Sequence, residues 1–267
     1  DGSRRADARA FQRSFRQRYL MSDWYDDDSF WETFQNYMFD ARRLGLAAGE
    51  VDQMIVLLGL KSGGVVLDLC CGIGRHSIEL ARRGHKVTGV DRTLPYLDQA
   101  RASASKENLK IEFVLSDMRE FSRPGAFDAA LNFFTAFGYF ENPADDARVA
   151  RNLLESLKPG GRLIVDTMGK EVIAKKFRER DWGTREDGAI VLEERRVLDG
   201  WKRIESRWTW IRGSERRSST LVVRLYSGVE LETLLREVGF REVGLYGSLS
   251  ATPYDQNAER LVAVASK

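Results

Sequence analysis

Between Val65 and Met168 one rhythm recurs: a short apolar run, a glycine or polar turn, then a helical pattern. The apolar runs are Val65–Cys70, Lys86–Asp91, Ile111–Ser116, Phe127–Phe133 and Leu163–Met168. Helical spacing follows the first to about Arg83, the second over Leu94–Lys106 and the fourth over Ala144–Leu157. Lys158-Pro159-Gly160-Gly161 reads as the turn that closes the last helix. Strands alternating with helices at this spacing predict an α/β fold, a parallel sheet with helices on both faces.

The flanks differ. Residues 29–44 carry Phe30, Phe34, Tyr37, Met38 and Ala41 at helical spacing, and Glu50–Leu58 reads as a second short helix ended by Gly59. After Met168 the alternation stops. Ala189–Leu198, Lys202–Arg212 and Ser219–Tyr226 read as three β segments, the first two joined by Asp199-Gly200, a hairpin signal. Gly213-Ser214 begins the next turn. A helix over Val229–Val238, capped by Gly239, and strands over Arg241–Leu249 and Leu261–Ala265 close the chain.

With 43% hydrophobic and 31% charged residues over 267 positions, the chain can bury a core and is neither disordered nor collagen-like. Forty-two Lys plus Arg against 40 Asp plus Glu give a net charge of +2, which demands neither nucleic acid nor an anionic membrane. No apolar run approaches the ~20 residues of a membrane span. Cys70 and Cys71 are adjacent, so no structural disulfide is expected, and a reducing, cytoplasmic setting fits. Residues 4–18 are Arg-rich; a solvated helix or upstream extension is preferred there over a transit peptide.

The chemistry gathers at the ends of the predicted strands. In Val65–Ser77 a strand runs into Gly72-x-Gly74 and then a helix, which brings backbone close to a ligand and points N–H groups at an anion. The third glycine of a dinucleotide fingerprint is absent, with Ser77 in its place. The second strand ends at Asp91, where a carboxylate can accept both hydroxyls of a ribose. The third ends at Asp117-Met118, an acid able to accept from an adenine amino group beside a side chain suited to packing on the ring. The fourth ends in Asn132-Phe133-Phe134. Four polar strand ends in succession exceed what helix capping requires.

From about residue 49 to 168, with the closing strands, the chain resembles the S-adenosylmethionine (SAM)-dependent methyltransferases of the seven-stranded, Rossmann-like type. LDLCCGIG looks like their glycine motif, VTGVD their ribose acid, SDM their adenine contact and LKPGGRLIVD their fifth-strand motif. The resemblance implies a SAM cofactor, S-adenosylhomocysteine as product, and a seventh, antiparallel strand between the fifth and sixth. It places Leu69, Cys70, Cys71, Gly72, Gly74, Asp91, Arg92, Asp117, Met118 and Asn132 around the cofactor, with Tyr25 from the N-terminal segment. The methionyl carboxylate is expected on the N–H groups around Cys71–Gly74, and its ammonium near Leu69 and Asn132. The insertion resembles that of the glycine and amino-sugar N-methyltransferases, where it roofs the active site. Four regions follow: a helical extension or lid (1–48), the SAM-binding core (49–169), a β insertion over the acceptor site (170–226) and a return to the core sheet (227–267). Asn132-Phe133-Phe134 lacks both prolines of the base-amino methyltransferase motif.

Candidates for acceptor chemistry are few. Trp24–Asp28 with Phe30 and Trp31 is either a cofactor lid or a helix cap with a hydrophobic staple. The insertion offers Trp201, Trp208, Trp210 and Tyr226 among Arg195, Arg207 and Arg224, as a roof or as a half-buried sheet with a charged outer face. Thr135 and Tyr139 can contact an acceptor. His76, Tyr139 and Asp166 are the acid–base candidates; packing is favoured for His76, and an exposed loop for His85. Two histidines with no ligand spacing predict no metal site. The expected function is direct methyl transfer to a small molecule, with nitrogen mildly favoured over oxygen or carbon because a neutral amine needs no enzyme base. The alternatives are a methyltransferase for RNA or protein, which would use Arg195, Arg196, Arg216 and Arg217, and a non-catalytic SAM-binding protein.

Overall fold

The computed structural model describes residues 23–267, so the Arg-rich 4–18 segment lies outside the described residues. A 3₁₀ turn, Trp24–Asp26, leads into α1 (Asp28–Met38) and α2 (Ala41–Leu58). Then come β1 (Val65–Leu69), α3 (Arg75–Arg82), β2 (Lys86–Asp91), α4 (Leu94–Lys106), β3 (Ile111–Leu115), β4 (Phe127–Asn132), α5 (Pro143–Ser156) and β5 (Leu157–Thr167). The insertion holds α6 (Lys170–Lys176), β6 (Arg180–Thr184), β7 (Ile190–Leu198), β8 (Arg203–Arg212) and β9 (Glu215–Arg224). The chain closes with α7 (Gly228–Val238), β10 (Glu242–Tyr246) and β11 (Leu261–Ser266).

Seven strands form one sheet in the order β10-β11-β5-β4-β1-β2-β3, and four form a second in the order β6-β7-β8-β9. β11 is antiparallel to both β5 and β10. The expected reversed strand, between the fifth and sixth, is therefore present.

Alternation along the strands explains the layering. Val66, Ala129, Leu131, Ile164 and Val262 face Val51, Met54 and Leu58 of α2 and Leu80 of α3. Their neighbours Leu67, Leu69, Ala130, Leu163, Val165 and Ala263 face the other way, toward Val149 and Leu153 of α5 and Leu231 and Leu235 of α7. A period of two with both faces covered puts the strand ends, rather than the sheet faces, in reach of a ligand. The insertion sheet packs on a third cluster, in which Val191, Ile204, Leu221 and Val223 meet Phe30, Phe34 and Met38 of α1.

Three sequence expectations are corrected. The helical run at 29–44 is two helices: Asp40 caps α2, its side chain accepting from the Arg43 N–H at 2.8 Å, and α2 runs unbroken to Leu58. Lys158–Gly161 falls within the span of β5 rather than before it, as an irregularity between the Phe127–Leu157 and Ala129–Arg162 pairs, with Gly160 at φ +77°. The insertion also contains α6 and β6, an edge strand whose Trp182 is exposed.

Ser227 and Glu230 form a reciprocal capping box on α7. Ser227→Ala is expected to lower stability by about 1 kcal/mol, seen as a drop of about 2–4 °C in a thermal melt.

Candidate functional site

The carboxyl ends of β1, β2, β3 and β4 open into a cavity of about 940 Å³ that runs from the glycine turn to the inner face of the insertion sheet. Its lining includes Tyr25, Leu69, Cys70, Cys71, Gly72, Asp91, Arg92, Asp117 and Met118, together with His76, Thr135 and Tyr139. Gly74, Asn132 and Asp166 are not on the wall.

The glycine turn is tightly made. Gly74 holds φ +77°, and a Cβ there would stand 2.9 Å from the Ala100 Cβ and 3.3 Å from the Phe113 ring. Only glycine meets both demands. Contrary to expectation, the N–H groups of Cys70, Cys71, Gly72 and Gly74 in this turn are already engaged. Cys70 and Cys71 donate to Val90 O, Gly74 donates to Cys71 O, and Gly72 donates to Asp91 Oδ2 at 2.8 Å. Asp91 Oδ1 accepts from the Thr93 N–H at 2.9 Å. Burial pushes the Asp91 carboxyl upward, opposed by the Thr93 and Gly72 N–H groups. Its remaining lone pairs can still accept two hydroxyls.

Asp117 departs further from expectation. Arg119 grips both its oxygens, at 3.0 Å through Nε and 2.7 Å through Nη2, and adds its own N–H at 2.7 Å. Burial works against ionisation of Asp117, but these bonds hold its carboxyl below the usual range. Arg92 is turned to the N-terminal segment: its guanidinium donates to Tyr25 O and pairs with Asp26 at 3.1 Å. Tyr25 is buried, donates to Asp23 and lies nearly parallel to Tyr139, with ring centroids 6.3 Å apart. Asp27 caps α1 through the Ser29 N–H. The segment is thus both a helix cap and a cavity wall.

Asn132 is fully buried; its Nδ2 donates to Leu69 O at 3.4 Å, and its Oδ1 has no partner among the described residues. This amide oxygen is a buried acceptor without a donor at the strand end, behind the cavity wall formed by Leu69 and Cys70. Burial pushes both thiols, Cys70 and Cys71, well above their ordinary range, so they pack rather than react.

The acid–base candidates divide. Asp166 accepts from Arg260 through both oxygens, at 2.8 and 2.6 Å, and from the Phe134 N–H at 3.1 Å. Phe134 and Thr135 hold φ of +61° and +64°. Asp166 therefore positions this strained corner and has no free face toward the cavity. His76 is buried on the wall, its Nε2 2.8 Å from Glu50 Oε2, its ring edge-on to Phe133. Packing and facing the pocket are both realised. Burial pushes the Tyr139 phenol upward, away from a phenolate at neutral pH. His85 is buried rather than in an exposed loop, and burial lowers its pKa.

In the insertion, Trp208 and Arg195 reach the cavity. Trp201 packs on Phe177 instead, and Arg224 and Tyr226 bind Asp146. Several lining residues had no sequence signal: Arg43, Arg75, Glu193, Ser206 and Arg260. Arg43 donates to the Tyr37 and Met38 carbonyls and stacks on Phe134 at 5.0 Å. Arg75, whose guanidinium lies 5.6 Å from the centre of the same ring, pairs with Glu50. Burial lowers the Arg43 pKa; Asp40 and Tyr37 oppose this, while Arg185 and Arg75 add to it. No group of three or more His, Cys, Asp or Glu able to hold a metal occurs among the described residues.

Residues 66–161 match a family model described as a methyltransferase domain. The YqeM protein of Bacillus subtilis (strain 168) is 28% identical over 213 residues, 78% of this chain and 86% of its own length. The ubiquinone biosynthesis O-methyltransferase of Idiomarina loihiensis (strain ATCC BAA-735 / DSM 15497 / L2-TR) is 28% identical over 155 residues, 57% of this chain and 58% of its own. Among solved structures, a S-adenosylmethionine-dependent methyltransferase from Clostridium acetobutylicum ATCC 824 shares the fold with a TM-score of 0.73 at 15% identity, covering 90% of this chain and 98% of that one. With its glycine turn, its strand-end acids and a reversed seventh strand, the chain is a SAM-dependent methyltransferase built on the seven-stranded Rossmann-like sheet.

Proposed function

We propose that the chain transfers a methyl group directly to a small-molecule acceptor held between the strand ends and the insertion sheet. One observation carries this reading: a single cavity joins the ribose acid, Asp91, to the roof residues Glu193, Arg195, Ser206 and Trp208. Bound SAM supplies a methyl carbon activated by its sulfonium. In this reading Asp91 receives the ribose hydroxyls, Met118 and Tyr25 flank the adenosine, and the Asn132 region takes the ammonium. Arg43 takes the methionyl carboxylate, because the Cys71, Gly72 and Gly74 N–H groups expected to do so are engaged elsewhere. Asp117 has Arg119 on both oxygens, so any contact with the adenine amino group falls to its remaining lone pairs.

Residues 23–48 act as lid and 170–226 as roof. Alignment of acceptor and methyl carbon in a closed site can supply much of the acceleration. Nitrogen stays the favoured accepting atom. Asp166 is saturated by Arg260, and the Tyr139 phenol is pushed up by burial. A neutral amine needs neither. The small-molecule reading agrees with the named role of the Idiomarina loihiensis relative in ubiquinone biosynthesis. No helix among the described residues is long and apolar enough to cross a membrane; a cytoplasmic setting is part of the proposal.

The test is a label-partition assay. The protein is incubated with methyl-labelled SAM and, separately, the metabolite, RNA and protein fractions of a cell extract. Label is expected in the metabolite fraction. Label in RNA or protein alone overturns the small-molecule reading.

A further inference from the structure

We infer that the acceptor carries an anionic oxygen group, a carboxylate or a phosphate, received by a polar strip in the roof; this rests on reading the roofed half of the cavity as the acceptor site. The strip follows from strand register. Glu193 pairs with Trp208 and Arg195 with Ser206 across β7 and β8, and Ser206 pairs with Leu221 on β9. Directly paired residues share a face, so these side chains stand together on the inner side of the sheet. Their surroundings there are apolar: Ile204, Leu221, Val223 and Leu225 line the same cavity.

A polar strip in an apolar roof needs a reason. Glu193 is 9% exposed and accepts from Tyr37 and from Arg195. Enclosing an ion pair is expensive, and aliphatic side chains would close the roof without that cost. The unmet groups are donors. Trp208 Nε1 is buried without a partner among the described residues. Ser206, 7% exposed, lines the cavity without a side-chain hydrogen bond among them. Arg195 spends Nη2 on Glu193 and keeps its other guanidinium donors.

The charge balance points the same way. The Arg195 N–H donates to Glu179 O at 2.7 Å, which lays β7 against the segment after α6. The end of α6 and that segment bring Lys175, Lys176 and Arg178 to the wall, Lys175 donating to Gln256 O at 2.6 Å, so four cations including Arg195 meet two acids, Glu193 and Asp181, at this end of the cavity. Glu193 is committed to Tyr37 and Arg195, and Asp181 accepts from the Trp182 N–H. Donors without acceptors, under a net positive field, select a ligand that presents anionic oxygens. Glu193 is then a positioning residue that aims the Arg195 guanidinium.

The walls beside the strip are aromatic (Tyr37, Phe177 and Trp208), so ring-bearing acids serve as probes. Benzoate, phenyl phosphate and neutral benzamide are titrated calorimetrically into protein saturated with S-adenosylhomocysteine. At least one anion is expected to bind ten-fold or more tighter than benzamide, and which one separates carboxylate from phosphate. The double variant Glu193→Gln/Arg195→Gln removes the ion pair as a unit, and Arg178→Gln and Ser206→Ala avoid any buried orphan charge. Each is expected to lose at least three-fold in anion affinity, the double variant ten-fold, with benzamide unaffected. Benzamide binding as well as the anions, or anion affinity unchanged in all three variants, overturns the inference. Failure of wild-type protein to bind S-adenosylhomocysteine overturns the cofactor reading instead.

Discussion

Asp91→Ala weakens S-adenosylhomocysteine binding by about 10- to 150-fold, the equivalent of losing charge-assisted hydrogen bonds together worth about 1.5–3 kcal/mol. The carboxylate does two jobs. It ties the glycine turn by accepting from Gly72 and Thr93, and it presents its remaining lone pairs to the cavity. A ligand analogue separates the two. An S-adenosylhomocysteine lacking both ribose hydroxyls cannot use the free lone pairs, so its affinity should fall much less on mutation than that of the intact ligand. Equal losses for both ligands would assign Asp91 to the turn alone. An unchanged affinity of the intact ligand in a folded variant would remove the residue from the site. Asn is a poor control here, because its amide would direct N–H donors at the Gly72 or Thr93 N–H.

What could be read from the sequence, and what could not, divides by distance along the chain. Asp91, Cys70–Gly72 and Met118 were legible as cavity lining because each ends its own strand or follows it by at most a few residues, and strand ends are where open α/β sheets bind. Arg43, Glu193, Ser206 and Arg260 were not, because α2, β7, β8 and the segment before β11 meet at the cavity only through tertiary packing. The same reason hid the fate of two expected contacts. Nothing local marks that Arg260, 94 residues on, saturates Asp166. For Asp117 the competitor was near, since Arg119 follows two residues later, but a bidentate grip depends on side-chain placement.

Secondary structure failed where tertiary pairing overrode local pattern. Apolar spacing runs across Phe39-Asp40 without interruption, so the break before α2 showed only as a capping residue. Lys158–Gly161 keeps the turn-like backbone its composition suggests, with Gly160 at φ +77°, but the β4 pairs at Leu157 and Arg162 enclose it within β5. β6 is exposed along one edge of its sheet and shows little of the apolar alternation that marks half-buried strands.

The other large effect is expected at Asp146, far from any reacting atom. This carboxylate is 1% exposed and accepts from the Tyr226 hydroxyl at 2.7 Å and Arg224 Nε at 3.1 Å. Arg224 ends β9, and its N–H donates to Gly138 O at 2.7 Å. Gly138 holds φ +102°, and a Cβ there would stand 2.7 Å from Arg224 O. Asp146 therefore clasps the insertion sheet to the loop that carries Tyr139. Asp146→Ala leaves a buried tyrosine hydroxyl and a largely buried guanidinium without their acceptor, at a cost of about 3–5 kcal/mol in denaturant unfolding. Burial raises the Asp146 pKa to about 6, with Asp145 adding to it, against the opposing pull of Tyr226 and Arg224. The sign follows from proton uptake. Between the unfolded pKa near 4 and the folded value near 6, the native state binds the proton and the unfolded chain does not. Stability from this group therefore grows as pH falls through 6 and shrinks as pH rises. Between pH 7 and 5 wild type should gain about 1 kcal/mol relative to Asp146→Asn, which cannot titrate. A gap that stays constant over that range would mean the ion pair with Arg224 outweighs the burial. In Asp146→Ala the roof loses its anchor while the strand ends do not, so methyl transfer should fall by an order of magnitude or more while S-adenosylhomocysteine affinity changes by less than three-fold. Loss of both together would show that the clasp supports the whole sheet rather than the acceptor half.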